Sequence, residues 1–186
     1  METQFAEGTL AVQVIVLVQP PVSLEDAPLR ETLKAVLAAP VARRVLALGG
    51  PSEDWLPAGF DLMAQRGADY GERMAAALAD AYATAPLPML LIRADALEIS
   101  ADILEDAARS LISPEADAAF GPASDGGFWL LGLRRPDRSL VAGIPAPTEG
   151  AAGSAGRLLL ERLATAGLRV ALVPRLEIAG APALRF

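Results

Sequence analysis

The chain has 186 residues, a formal net charge of −7, and neither cysteine nor histidine. This composition excludes disulfides, thiolate chemistry, Ser-His-Asp triads and metal sites built on cysteine or histidine. Any chemistry must rest on the other polar side chains or on a hard cation such as Mg²⁺ or Mn²⁺, which prefers oxygen ligands. The acidic balance, the dispersed arginines and the few aromatic residues argue against nucleic acid as the main partner.

No linker or block of charge divides the sequence, so we expect a single domain over residues 1–186. Although 53% of the residues are hydrophobic, the longest apolar run, residues 10–18, is too short to cross a bilayer. No basic residue precedes Arg30, whereas a secretory signal begins with positive charge. We therefore expect a cytoplasmic protein without a membrane partner.

Strand and helix patterns alternate along the first half of the chain. The β-branched run at 10–18, which two prolines follow, is typical of a buried strand. Apolar residues at helical spacing predict a helix over 25–39. Asp69 and Glu72 have the spacing of a capping box and begin a predicted helix over 69–85. The other predictions for this half are a strand at 43–48, a loop at 51–60 around Trp55 and a weak strand near residue 62.

The second half keeps the same alternation, which predicts an α/β fold with helices on both faces of a mostly parallel sheet, in three layers. The strand at 127–133 should run antiparallel, because the turn before it is too short for a parallel crossover. Its aromatic residues Phe128 and Trp129, with Phe120, are expected in the core. The other predicted elements are strands at 89–93, 117–120 and 168–173, and helices at 100–112 and 154–166.

Two carboxylates, Asp95 and Asp125, directly follow predicted strands. Because ligands of open α/β sheets bind beyond the carboxyl ends of the strands, we expect both side chains at one edge. Asp125 lies in an elbow, residues 124–127, where Gly126 and Gly127 allow close backbone approach or a positive φ. The elbow either faces a ligand or serves turn chemistry alone.

Three segments together resemble a bacterial group of GT-A-like proteins related to the nucleotide-diphospho-sugar transferases and known as domain of unknown function number 2064. Residues 65–74 are similar to the group's Gln-x-Gly-x-Asp-Leu-Gly-Glu-Arg-Met, and residues 121–133 to its Gly-Pro-Ala-x-Asp-Gly-Gly-Tyr-x-Leu-Ile-Gly-Leu. Residues 91–99 stand where the group has Ile-Gly-x-Asp-Ser-Pro-Asp-Leu. The resemblance covers roughly residues 60–170.

The resemblance implies a Rossmann-like GT-A fold that binds a nucleoside diphosphate-sugar through a divalent cation, Mg²⁺ or Mn²⁺. By position, Asp95 would help to hold the cation, and Asp125 would be a second ligand or a substrate contact. The residues implied near the substrate are Gln65, Gly67, Asp69, Arg73, Gly126 and Gly127. No catalytic residue is assigned.

Plainer alternatives stand beside these assignments. Asp95 could be a solvated loop residue on the approach to the next helix. Gln65 and Gly67 could belong to a plain loop that enters a helix, although a helix N-terminus favours anions. Asp69 could act only as the cap of that helix. Arg73 could pair with Asp69 on the helix surface, at spacing i,i+4, or face a diphosphate.

The chain departs from the group's pattern at two places. The group has a Gly-Arg-Val-Lys-Thr-Arg-Leu-like basic loop after its first strand, whereas residues 19–26 here carry two acids and no base. Arg93 replaces the glycine before Asp95, and Ala96-Leu97 replaces Ser-Pro after it. Two hypotheses therefore stand: a metal-dependent glycosyl- or nucleotidyl-transferase, or a degenerate member that acts as a binding or assembly module without catalysis.

Overall fold

A computed structural model describes residues 6–19, 26–51, 56–147 and 152–180, which form one seven-stranded sheet flanked by helices. The strands are β1 (Leu10–Val18), β2 (Val41–Leu48), β3 (Asp61–Ala64), β4 (Met89–Arg93), β5 (Ala118–Pro122), β6 (Phe128–Leu133) and β7 (Val170–Leu172). The helices are α1 (Ala27–Ala38), α2 (Tyr70–Thr84), α3 (Ala101–Ile112), α4 (Arg138–Val141) and α5 (Ala152–Thr165).

The strand order across the sheet is β3-β2-β1-β4-β6-β5-β7. Every neighbouring pair is parallel except the two that involve β6, which runs antiparallel to both β4 and β5. The predicted α/β class and the single antiparallel strand are both confirmed. Because β5 and β6 are joined only by the elbow, that turn lies at the carboxyl edge of the parallel strands.

The alternation of side chains along β1 divides the core into two halves. Val14 and Val16 pack on one side of the sheet with helices α1 and α3. Ile15 and Leu17 pack on the other side with α2, α4 and α5. Since successive residues of a strand point to opposite faces, a strand that is apolar on both faces requires helices on both faces. This arrangement is the three-layer sandwich that the sequence predicts.

The predicted aromatic core is confirmed. Phe120, Phe128 and Trp129 are buried, and the Trp129 Nε1 donates a hydrogen bond of 2.9 Å to the carbonyl oxygen of Pro174. A buried indole that has its one donor satisfied contributes apolar area without a polar penalty. These rings therefore serve packing.

Most predicted boundaries agree with the structure to within two residues. Strands β1 and β4 have the predicted bounds, and Asp69 and Ser100 cap their helices. Helix α4 was not predicted, because its single turn shows no period; Asp137 caps it by accepting from the Ser139 amide. The loop predicted around Trp55 lies partly outside the described residues. No described helix combines the length and the apolar character that crossing a bilayer requires.

Helix α5 packs directly on the backbone of the elbow, because Gly156 has no side chain. A Cβ at residue 156 would lie 2.6 Å from the carbonyl oxygens of both Gly126 and Gly127. No real Cβ approaches backbone oxygen so closely, so the helix would have to move. Gly126 itself has φ +82°, in the left-handed region that glycine occupies without strain.

We predict that Gly156→Ala destabilises the protein, although alanine is normally favoured over glycine in a helix by about 1 kcal/mol. The expected loss is roughly 1–3 kcal/mol, the usual cost of overpacking a fixed interior, measured by chemical denaturation. Gly50→Ala is the control, since its Cβ would meet nothing within 4 Å. A Gly156→Ala variant as stable as the control would contradict this close contact.

Candidate functional site

The candidate site lies at the point where the strand order of the sheet reverses direction. From β1 the sheet grows through β2 to β3, whereas β4 pairs on the other side of β1 and leads towards β6 and β5. In open α/β sheets a crevice forms beyond the carboxyl ends at such a reversal. Here the carboxyl ends of β1 and β4 border it, and the elbow lies beside them.

Arg93, the last residue of β4, joins the two carboxylates at this edge. Its Nε and Nη2 donate to the two oxygens of Asp95 at 2.8 and 2.7 Å, and its Nη1 donates to Asp125 Oδ2 at 2.8 Å. These distances are typical of charge-assisted hydrogen bonds. The structure thus brings the two predicted carboxylates together, with a guanidinium between them. We call Arg93, Asp95 and Asp125 the charge cluster.

All four carboxylate oxygens of the charge cluster have donors. Arg93 occupies three of them, and the fourth, Asp125 Oδ1, accepts from the Gly127 amide at 2.9 Å. Asp125 therefore serves turn chemistry and the charge cluster at once. That the elbow also faces a ligand stays a prediction.

Two of the three side chains of the charge cluster are largely buried. The side chain of Arg93 is 7% exposed and that of Asp125 13% exposed, whereas Asp95 is 45% exposed and reaches solvent. Breaking a buried ion pair by removing one partner costs about 3–5 kcal/mol, because the other charge is left without compensation. Burial disfavours the charge on Arg93, but hydrogen bonding to Asp95 and the carboxylate charges more than offset it and raise its pKa.

Tyr70, at the start of α2, is buried beside the charge cluster. Burial, which disfavours the phenolate, raises the pKa of Tyr70 to about 12; Arg93 opposes this shift and the charges of Asp95 and Asp125 add to it. Its hydroxyl therefore stays protonated across the physiological range. No periodic signal in the sequence marks this position as buried.

The segment that leads into α2 is fixed by its own polar side chains. The Gln65 amide nitrogen donates to the carbonyl oxygens of Val18 and Ala47 at 2.6 and 2.7 Å, so it ties together the carboxyl ends of β1 and β2. A Cβ on Gly67 would lie 2.7 Å from the Arg73 backbone nitrogen, so only glycine fits there. The implied contacts of Gln65 and Gly67 with a substrate stay predictions.

The capping box at the start of α2 is present. Asp69 Oδ1 accepts from the Glu72 amide at 2.8 Å, and Glu72 Oε2 accepts from the Ala68 amide at 2.8 Å. Asp69 has no ion pair with Arg73. The implied contact of Asp69 with a substrate stays a prediction.

Arg73 is left without an acidic partner in the described part of the chain. Its side chain is half-buried, and its Nε is buried with no hydrogen-bond partner. Arg73 lies close enough to Tyr70 to lower the pKa of that hydroxyl, as Arg93 does. An unpaired guanidinium therefore lies in the first turn of α2. Like the charge cluster, it is close enough to Tyr70 to affect the pKa of the Tyr70 hydroxyl.

The segment after β7, residues 173–179, holds the Asp95 turn and the elbow together. The Ala179 amide donates to the Asp95 carbonyl at 2.9 Å, and the Ser124 amide donates to the Leu176 carbonyl at 2.9 Å. The Ile178 amide donates to Ser124 Oγ at 3.0 Å. Sequence reasoning missed this segment because it has neither helical nor strand period, and only its buried apolar residues Leu176 and Ile178 signal its packing.

A cleft of about 640 Å³ lies between the elbow and helix α5. It is lined by the elbow, including Gly126 and Gly127, and by the charged side chains of Arg157, Glu161 and Arg175. We call it the elbow cleft. Because Asp125 lines this cleft and also belongs to the charge cluster, the two features share one residue.

The charge cluster does not fit a divalent cation as it stands. Such an ion needs free carboxylate oxygens, whereas Asp95 and Asp125 have theirs occupied. Among the described ranges, no group of three or more acidic side chains could hold a metal ion. The implied roles of Asp95 and Asp125 as metal ligands stay predictions.

The strand order, the antiparallel β6 and the reversal beside β4 define the GT-A-like α/β fold of the nucleotide-diphospho-sugar transferases. Residues 32–148, more than half of the chain, match the profile of the family described as uncharacterised proteins conserved in bacteria, DUF2064. The chain belongs to this family, which confirms the resemblance seen in the sequence. Among curated proteins, none matches the chain significantly.

Solved structures show the same fold. A protein from Desulfovibrio desulfuricans G20, provisionally assigned as a nucleotide-diphospho-sugar transferase, superposes with a TM-score of 0.77 at 21% identity, over 92% of this chain and 83% of that one. A mannosyltransferase from Pyrobaculum calidifontis, in complex with GDP-Man and Mn²⁺, gives 0.58 at 20% identity, over 95% and 58%. Glucosyl-3-phosphoglycerate synthase from Mycobacterium tuberculosis, with Mn²⁺ and UDP, gives 0.58 at 12% identity, over 95% and 73%. At these identities the likeness establishes the fold alone.

We predict that Tyr70 makes the protein sensitive to alkali. Its folded pKa of about 12 lies above the ordinary value of 10.0, so its contribution to stability is complete below pH 10 and is lost as the pH rises towards 12. The expected loss of unfolding free energy in that window is roughly 2–3 kcal/mol, measured by denaturation at a series of pH values.

Tyr70→Phe is the matched control, since it keeps the ring and removes the ionisable hydroxyl. Its stability should fall less steeply over the same window. Equal slopes for the two proteins would show that the Tyr70 hydroxyl does not carry the effect.

Proposed function

We propose that this chain binds a nucleoside diphosphate-sugar in the crevice beyond the carboxyl ends of β1 and β4, as a protein of the glycosyltransferase or nucleotidyltransferase type. The observation that carries the proposal is the unpaired guanidinium of Arg73, whose Nε is buried without a hydrogen-bond partner. A buried donor left without an acceptor is costly, so this one is built for a ligand that brings acceptor oxygens.

The surroundings of Arg73 suit a diphosphate. The side chain belongs to the first turn of α2, where the helix dipole and the free amides favour anions. Gly67 lets the entering backbone pass close to that turn. Arginine supplies a planar fork of donors that matches phosphate oxygens. Fold relatives solved with GDP-Man and with UDP support this ligand class.

The elbow cleft would receive the sugar or its acceptor, because it borders the charge cluster through Asp125. In glycosyl transfer, the acceptor hydroxyl forms a bond to the anomeric carbon, the bond from that carbon to the diphosphate oxygen breaks, and the diphosphate leaves with the electron pair. The acceptor proton passes to a base. Positive charge beside the diphosphate offsets the charge that develops on the leaving group.

A binding module without catalysis is the second candidate. The observation that favours it is the complete occupation of the Asp95 and Asp125 oxygens within the fold. A carboxylate held by a buried arginine is not free to act as a base. Release of nucleoside diphosphate from a bound nucleotide-sugar, with and without an added acceptor, separates the candidates: turnover supports a transferase, and binding without turnover supports the module.

We predict that at least one nucleoside diphosphate or its sugar raises the melting temperature, because a ligand selective for the folded state stabilises it. The measurement is a thermal-shift panel across the nucleobases, followed by titration calorimetry. Arg73→Met should weaken binding roughly 10- to 100-fold, the loss expected from one charged hydrogen bond of about 1.5–3 kcal/mol.

Arg109→Met is the control for this substitution. Arg109 pairs with Glu105 on the exposed surface of α3, so its loss should leave binding unchanged. A panel without any shift, or an Arg73→Met variant that binds as tightly as the control, would count against the proposal.

A further inference from the structure

This chain supplies positive charge of its own at the carboxyl edge of β4. In the pattern that residues 91–99 resemble, a glycine stands two residues before the aspartate, and here that residue is Arg93. The substitution places a permanent cation on the same strand end as Asp95. The side chain turns onto that carboxylate and spans the gap to the elbow.

We propose that the Arg93 guanidinium takes the place of a divalent cation at this edge, so that the chain binds its nucleoside diphosphate without metal. The geometry is that of a bridging cation, since one group contacts a carboxylate from the β4 turn and a carboxylate from the elbow at 2.7 to 2.8 Å. That a nucleoside diphosphate binds here rests on the proposed function. That Arg93 occupies the position of a cation does not, because it concerns only this chain and metal ions.

The charges support this exchange. A divalent cation with two aspartates is neutral, and so are Arg93 and Arg73 together with Asp95 and Asp125. A guanidinium has five N–H groups, and Arg93 commits three of them to carboxylates. Two N–H groups remain for another acceptor. Asp95 is 45% exposed, so solvent reaches the cluster from its side.

The first experiment measures binding of Mn²⁺ alone, by the loss of the free-ion signal in electron paramagnetic resonance. Wild type should leave the signal unchanged. Arg93→Gly, which restores the family residue and frees three carboxylate oxygens, should bind Mn²⁺ at least about tenfold more tightly than wild type. Mn²⁺ should also raise the melting temperature of Arg93→Gly. Adding Asp125→Asn to that variant should abolish the binding.

Measurements on the wild-type protein test whether Arg93 occupies the cation position, even if Arg93→Gly does not fold. The proposal would be overturned if wild type bound Mn²⁺ and Asp95→Asn abolished that binding. This result would show that the ion displaces Arg93 from Asp95. Equal Mn²⁺ binding by wild type and a folded Arg93→Gly would overturn it as well. Undetectable Mn²⁺ binding by wild type supports it.

The second experiment titrates wild type with the nucleoside diphosphate selected by the thermal-shift panel, once with EDTA and once with Mn²⁺. Equal affinity within about twofold is expected, and an affinity at least about tenfold higher with Mn²⁺ would overturn the proposal. If no nucleotide binds under either condition, the proposed function fails, and the Mn²⁺ measurements still decide whether Arg93 occupies the cation position.

Discussion

The three hydrogen bonds of the Arg93 guanidinium are the interaction on which the geometry of the carboxyl edge depends. One of them connects the end of β4 to Asp125 in the elbow, 32 residues away in sequence, and the other two hold Asp95. The bond to Asp125 lies in a region where water screens charge weakly. Because Arg93 and Asp125 are both largely buried, neither can leave the other without a large desolvation penalty. The edge therefore has one arrangement of charges, and the surrounding backbone is fitted to it.

The backbone around the charge cluster is held from three directions. Helix α5 approaches the elbow at Gly156, residues 173–179 hydrogen-bond to both the Asp95 turn and Ser124, and Gln65 ties β1 to β2. The hydrogen bonds of residues 173–179 and of Gln65 satisfy backbone groups that would otherwise lack partners. A ligand that binds here meets groups already in place, which reduces the ordering cost of binding.

The sequence predicts most of the fold because the periodic signals are local. Strand β1 is apolar on both faces, and the short elbow requires an antiparallel β6. The caps Asp69 and Ser100 are predicted from the residues that directly follow them in the sequence. The meeting of two carboxylates at one edge also follows from topology alone. Patterns of this kind need no knowledge of where a long side chain turns.

The details of the site escape such reasoning because they depend on side-chain direction and on distant backbone. Gln65 matches a family motif, yet its amide serves the carbonyl groups of β1 and β2. Residues 173–179 carry no period, so their contact with the Asp95 turn is invisible before folding. One signal in the sequence does point to the charge cluster. An arginine at the end of an apolar central strand needs a carboxylate nearby, because a buried charge without a partner is costly. Asp95 follows two residues later, and residues two apart in an extended chain point to the same side.

An arginine in the place of a divalent ion changes what this edge of the fold can do. A metal ion can exchange its oxygen ligands and can be removed by a chelator. A guanidinium is a permanent part of the chain and offers hydrogen-bond donors in fixed directions. A single positive charge shared with two aspartates leaves the charge cluster negative, which would repel a diphosphate. The unpaired Arg73 restores the balance. Binding of an anion in this crevice therefore depends on the two arginines together, one that holds the aspartates and one that is free for the ligand.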